Sequence, residues 1–192
     1  GALDEETMAM MEAPRCSIPD VDISDGRVKR YYPVTKWKNF TLDYKIFNYP
    51  SKVLNLTISD VDRIINESLK LWSGSAKKLS FPLSASDKAT IKVKFAKKNH
   101  GDNAPFDGPG HILGHGSYPP IGDIHFDDDE TWSGNQEKGA NLFWVAVHEF
   151  GHVLGLGHSN DTAALMYPYF VSNKAIISLG SDDVAGILHL YA

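Results

Sequence analysis

The chain has 192 residues, a single cysteine and a formal net charge of −5, and 42% of its residues are hydrophobic. That length fits one domain of ordinary size plus a short extension, with enough apolar content for a real core. No apolar run is long enough to span a bilayer. The acidic balance, with no basic patch interleaved by aromatics, argues against a nucleic-acid surface, and one thiol, Cys16, rules out an internal disulfide.

In chain order, residues 4–13 are rich in methionine and acid and predict a short helix stopped by Pro14. Residues 14–30 carry two prolines, Gly26 and no periodicity, the mark of an extended linker. From Trp37 the pattern alternates through Leu42, Tyr44 and Ile46, which predicts a strand. Ser59 is the predicted cap of a helix whose apolar stripe is Ile58, Val61, Ile64, Ile65, Leu69 and Trp72. Ile91, Val93 and Phe95 alternate with lysines as a half-buried strand.

Residues 100–130 form a long segment rich in Gly, Pro, Asp and His, with only brief strand-like runs. A loop of that length inside a compact domain calls for something to hold it, and metal ions would supply the hold. Residues 141–154 predict a helix, and Ser181–Tyr191 a last one with Leu179, Val184, Ile187 and Leu188 inward. Strands ahead of the first helix, then loops and helices, point to an α+β domain.

The run from His148 to His158 carries the chemistry. His148 and His152, four residues apart on one helical face, reach one zinc ion. Glu149 beside them is placed to take a proton from water at that metal. Gly155 ends the helix, since glycine enters the left-handed region without the penalty of a Cβ, and the returning chain offers His158 as third ligand. Three protein ligands leave a fourth position open, as in catalytic zinc sites. The alternative is a helix with two partly buried, hydrogen-bonded histidines. Ahead of this run stand His100, Asp102, His115 and His125, and the acidic cluster Asp127-Asp128-Asp129-Glu130, otherwise a solvated turn.

With Pro14-Arg15-Cys16, residues 100–130, the histidine run and Ala164-Leu165-Met166-Tyr167-Pro168, the chain resembles the matrixins, the matrix metalloproteinases, over nearly its whole length. The resemblance implies the metzincin fold, a twisted, mostly parallel five-stranded sheet with three helices. It implies Met166 beneath a catalytic zinc, and a structural zinc on His100, Asp102, His115 and His125. A calcium would sit on Asp107, Asp127 and Glu130 with carbonyls of Gly108, Gly110 and Ile112. Two zinc ions and at least one calcium are expected. The spacing from His115 to His125 is shorter than is usual in the family, which leaves a second calcium in doubt although Asp123 is retained. Thr90 stands where an aspartate is common.

The segment from Pro14 to Asp20 resembles the matrixin cysteine switch, in which a thiolate fills the open zinc position. Arg15 and Asp20 would pair to hold it, and Ser17 replaces the usual glycine. The alternative for Cys16 is an inconsequential free thiol. Arg27-Val28-Lys29-Arg30 resembles a proprotein-convertase site, or is a solvated basic run. Residues 1–30 thus read as the end of a propeptide and residues 31–192 as a zinc metallopeptidase catalytic domain. Cleavage after Arg30 would make Tyr31 the new N-terminus, and Asp182-Asp183 would receive its ammonium or serve the helix dipole.

The resemblance further implies a secreted zinc endopeptidase, present here in latent form. Its substrates would be extended peptides or extracellular matrix proteins, added as a strand along residues 112–117, including Leu113 and Gly114. Its specificity pocket would be walled by Pro168, Tyr169 and Phe170. Trp144, four residues before His148, would make that pocket shallow, or simply pack in the core. Tissue-inhibitor-type proteins are expected partners. Sequons at Asn39, Asn55, Asn66 and Asn160 are weak signs of secretion. An inactive metal-stabilised binding module and another metzincin branch are the rival readings.

Overall fold

The structure, a computed structural model, describes residues 4–5, 7–8, 13–18, 31–134, 138–170 and 177–192. Of the helix expected over residues 4–13, the first turn falls among them. There the Asp4 carboxylate accepts from the Thr7 amide at 2.8 Å and its carbonyl from the Met8 amide at 3.0 Å. The rest of that segment, Asp20 and the run Arg27-Val28-Lys29-Arg30 lie outside the described residues.

The main sheet has five strands in the order β1 (Arg15–Cys16), β5 (Ile112–Gly116), β6 (Asp123–Asp127), β4 (Ile91–Ala96) and β2 (Tyr44–Ile46). All neighbours are parallel except β5 and β6. One edge strand, β1, comes from the N-terminal extension, so the linker expected there is in part a strand. A small second sheet joins β3 (Val53–Leu54), β7 (Trp132–Ser133) and β8 (Ala140–Asn141).

The strand expected from Trp37 shrinks to three residues. Leu42 and Tyr44 spend their outer amides on Ser80 O and Pro82 O at 2.9 and 3.0 Å, so residues 80–84 cover that edge. Trp37 leaves the sheet and donates its indole N–H to Val153 O at 2.8 Å. The segment expected to be mostly loop holds two five-residue strands, β5 and β6, paired at Gly114–Phe126 and His115–His125. Its glycines, histidines and aspartates have low strand propensity. The ladder with β4, from Lys92–Asp123 to Ala96–Asp127, makes them strands regardless.

Helix α1 (Ile58–Ser75) starts at Thr57, not at Ser59. Thr57 Oγ1 accepts from the Asp60 amide and the Asp60 carboxylate accepts from the Thr57 amide, a reciprocal capping box. Ile58 falls before the stripe and is 61% exposed, while Val61, Ile64, Ile65, Leu69 and Trp72 are buried. Trp72 ties this helix to α2 (Leu142–Val153) by donating its indole N–H to Val147 O at 2.9 Å. The core lies between these two helices and the sheet residues Ile91, Val93, Ile124 and Phe126. In α3 (Ser181–Tyr191), Gly186, Ile187, Leu190 and Tyr191 face inward, whereas Leu188 is exposed. The Tyr191 hydroxyl donates to Leu154 O and accepts from the Trp37 amide, so α3 closes the end of α2. Among the described residues, no helix is long and apolar enough to cross a membrane.

Candidate metal centres

Helix α2 is capped by Asn141, whose side chain accepts from the Trp144 amide at 3.1 Å. It carries His148 and His152 one turn apart, with Nε2 atoms 3.1 Å from each other. Their Nδ1 atoms lie 2.8 Å from Leu165 O and 2.7 Å from Leu156 O. Carbonyls only accept, so Nδ1 of each ring carries the proton and Nε2 presents a lone pair. Gly155, at φ +101, turns the chain back so that Leu156 reaches His152. A Cβ there would collide with the Thr35 carbonyl oxygen. The turn delivers the His158 ring to 4.8 Å from His152 and 5.3 Å from His148.

Cys16 closes the group. Its Sγ is 3.4 Å from His152 Nε2 and 3.4 Å from Glu149 Oε2, and all four ligand atoms of Cys16, His148, His152 and His158 lie within 4.8 Å of one another. Burial pushes the Cys16 thiol well above its ordinary value, with the Glu149 charge adding to it. Burial also raises Glu149 to about 8 and lowers His148 to about 3. Neutral imidazoles are the ligating form, and buried anions need a cation beside them. Glu149 Oε1 is buried with no hydrogen-bond partner among the described residues. The donor set, three nitrogens and one sulfur, fits zinc.

The second set converges more tightly. Asp102 Oδ2 is 2.9 Å from His100 Nε2, 2.7 Å from His115 Nε2 and 2.7 Å from His125 Nδ1. His115 Nε2 also lies 3.4 Å from His100 Nε2 and 3.2 Å from His125 Nδ1. One imidazole proton cannot serve three such contacts. A tetrahedron of zinc–nitrogen bonds has edges of about 3.3 Å, so zinc fits here as well. Burial lowers His115 to about 4. Burial raises the Asp102 carboxyl, but the Ala104 amide and the imidazoles outweigh it and hold that group well below the usual range.

The third expected set is looser. Glu130 accepts from the Gly110 amide, Asp107 from the Ile112 amide at 3.4 Å, and Asp127 Oδ2 is buried without a partner among the described residues. Burial and the neighbouring carboxylates, Asp107 among them, raise Asp127 and Glu130. Gly108 and Gly110 have φ +98 and +89, which bends residues 108–112 around that cluster. Crowded carboxylates of this kind suit a hard cation such as calcium. Asp123 is differently engaged: Lys92 Nζ stands 3.0 Å from its Oδ1, and Gly122 O accepts from the Lys92 amide at 2.9 Å. The Lys92 ammonium therefore already pairs with the Asp123 carboxylate.

Beneath the histidines, Met166 is buried against Gly151, where a Cβ would collide with its sulfur. The Asp183 carboxylate accepts from the amides of Leu165, Met166 and Gly180 at 2.7, 3.0 and 2.7 Å. Asp182 accepts from the Ser159 hydroxyl at 2.5 Å. Asp183 thus serves the helix N-terminus through Gly180, one of its two expected roles. Both aspartates also hold the chain under the histidines, a use not legible in the sequence because Ser159, Leu165 and Met166 are remote. Tyr118 was missed too. Its ring meets His152 edge-on at 5.7 Å, and burial raises its hydroxyl well above the ordinary value.

Along the cleft, the extension is bonded on both sides. The Arg15 amide donates to His111 O at 2.7 Å and that of Ser17 to Gly114 O at 3.1 Å. Opposite, the Cys16 amide donates to Pro168 O at 3.2 Å, and Pro14 O accepts from the Phe170 amide at 2.8 Å. Trp144 and Phe170 meet at right angles, 5.7 Å apart, beside an apolar cavity of about 90 Å³ that Leu113, Val145 and Pro14 also line. Tyr31 packs on α3, its ring 5.7 Å from that of His189.

The family model described as Matrixin matches residues 36–192. The chain is a matrixin. Stromelysin-2 of Rattus norvegicus is 44% identical over 197 residues, covering 100% of this chain and 39% of that protein. Neutrophil collagenase of Homo sapiens is 43% identical over 195 residues, with 100% and 40% covered. Interstitial collagenase of Equus caballus is 41% identical over 198 residues, with 100% and 39% covered. This matrixin chain therefore spans about 40% of the length of these relatives. Matrixins are zinc metalloendopeptidases, and the observed sheet and helices are those of the matrixin catalytic domain. In this matrixin the Ser17 hydroxyl is buried with no hydrogen-bond partner among the described residues, at the position where glycine is usual.

Proposed function

We propose that residues 31–192 are the catalytic domain of a secreted zinc endopeptidase and residues 1–30 the end of its propeptide, with Cys16 as the fourth ligand of the catalytic zinc. One observation carries the reading: a single sulfur lies 3.4 Å from both a histidine nitrogen of the cluster and the Glu149 carboxylate. In that place Cys16 excludes water and substrate together. His148, His152 and His158 hold one zinc; His100, Asp102, His115 and His125 hold a second, structural one. Asp107, Asp127 and Glu130 hold one calcium with the carbonyls of Gly108, Gly110 and Ile112.

When bound, the catalytic zinc polarises a carbonyl and brings the pKa of water toward about 7. The rest of the chemistry belongs to this chain's side chains. Glu149 takes the proton as water adds to the scissile carbonyl, then gives it to the amine as the C–N bond breaks. The edge formed by β5 and His111 just before it, whose carbonyls at His111 and Gly114 now accept from the extension, binds the substrate backbone. The residue after the cut enters the apolar cavity beside Trp144 and Phe170, which admits medium aliphatic side chains. A convertase cut after Arg30 would release Cys16 and free Tyr31. The substrates would be extracellular proteins, and tissue-inhibitor-type proteins would close the same cleft.

The test is cleavage of casein or gelatin by the chain before and after a furin-class protease, with zinc counted in parallel. Two zinc ions per chain and turnover only after the cut are expected. A chain that stays inert once residues 1–30 are gone would contradict the reading.

A further inference from the structure

One groove and one sequence motif take no part in the catalysis, and they meet at Asn66. Strand β2, helix α1 and residues 83–85 line an open groove of about 690 Å³, at the edge of the main sheet opposite β1. A volume of that size falls in the range of about 300–1,000 Å³ that holds small ligands. Asn66, acceptor of the sequon Asn66-Glu67-Ser68, is half-buried in the wall of this groove, whereas Asn39, Asn55 and Asn160 are exposed. The charged side chains of the groove are already engaged. Lys45 Nζ stands 2.6 Å from Asp87, the Arg63 guanidinium 3.2 and 3.1 Å from Asp60 and Glu67, and Asp62 accepts from the Tyr49 hydroxyl at 2.8 Å. Leu83, 72% exposed, and the Tyr49 ring add apolar surface. With its ions so engaged, the groove favours a neutral occupant with a polar rim and apolar faces. A pyranose ring has that form, hydroxyls around its edge and C–H groups on its faces.

We infer that Asn66 carries an N-linked glycan whose first N-acetylglucosamine units lie in this groove. This rests on the secreted reading proposed above, which takes the chain through a compartment where such glycans are added. In the transfer, Asn66 Nδ2 bonds to the anomeric carbon of a polyisoprenoid diphosphate-linked oligosaccharide. The bond from that carbon to the diphosphate oxygen breaks, and the amide loses a proton as the lipid diphosphate leaves. The transfer precedes folding. In the folded chain Ser68 is buried and its hydroxyl donates to Ile64 O at 2.8 Å, out of reach of a transferase that must recognise it. Once α1 has formed, the position of Asn66 in the wall delivers the sugar into the groove.

The test sends the whole chain through the secretory pathway of cultured animal cells behind a host leader. Release by peptide-N-glycosidase in heavy-oxygen water turns a glycosylated asparagine into labelled aspartate, which peptide mapping then locates. We expect the label at Asn66, and an unlabelled Asn66 overturns the site. A chain that is retained in the cells and never reaches the medium contradicts the secreted reading instead, and the label at Asn66 is still read on the retained material. Seating is read by Tm. The glycosylated chain should melt about 2–4 °C above its Asn66→Gln variant, whereas the same two chains made in bacteria, without glycan, should melt alike. Tyr49→Ala should abolish that gap, and Tyr49→Phe, which keeps the ring, should preserve it. A glycan that leaves Tm unchanged, or a gap that survives Tyr49→Ala, overturns the seat in the groove.

Discussion

Burial sets the protonation of the side chains around Cys16, and that is where residue-scale predictions are sharpest. Glu149 is fully buried beside Cys16, with one oxygen lacking a partner among the described residues, so it can take a proton there. Glu149→Gln should leave the zinc content unchanged and lower kcat about 10²–10⁴-fold, read by metal analysis and peptide turnover on one preparation. A Gln variant with wild-type turnover would remove Glu149 from the mechanism. Gly155 tests the turn that brings His158 back. Alanine there would adopt φ +101 and meet the Thr35 carbonyl, at a cost of about 2 kcal/mol or more. We expect Tm to fall by at least about 4–8 °C, and an unchanged Tm would show that the turn tolerates a side chain. The convergence of His148, His152 and His158 was readable because its geometry is local: one helical turn, then a glycine reversal. The bonds of Asp183 to Leu165 and Met166, and the contact of Tyr118 with His152, were not, because those partners are remote in sequence.

Elements separate local signals from tertiary ones in the same way. The periodicity of α1 was plain, but its start was not, since Thr57 and Ser59 are both competent caps. The structure chooses Thr57 through the reciprocal bonds with Asp60. Thr57→Ala should therefore cost about 1 kcal/mol, seen as a fall in Tm of about 2–4 °C. Ser59→Ala should stay within about 0.5 kcal/mol of wild type, and the opposite order would reassign the cap. The Thr57 hydroxyl and amide hold the Asp60 carboxyl down at about 2 from its ordinary 3.8. Because the folded-state value is the lower one, the stabilisation is complete above the unfolded value and is lost as pH falls through about 2. Strands β5 and β6 were illegible for a physical reason. Their Gly, His and Asp residues have low strand propensity, and pairing with each other and with β4 and β1 makes them strands.

For the whole molecule, the sheet, the two inner helices and the two histidine clusters form one system. The proposed ligands His115 and His125 are a cross-strand pair, and His148 and His152 stand on the helix packed over that sheet. Anything that binds only the folded state adds to its stability. A strong chelator should thus lower Tm and restored zinc should recover it. His125→Ala should reduce the count from two zinc ions to one while His148, His152 and His158 keep theirs. Loss of both from that single change would show that the two centres are not separate. The extension is part of the same system, since β1 completes the sheet and seats Cys16. Zinc-edge X-ray absorption on the uncut chain, and again after removal of residues 1–30, tests this most directly. The account predicts a zinc–sulfur shell at about 2.3 Å that vanishes with the extension. An uncut chain with only nitrogen and oxygen around its zinc would contradict it.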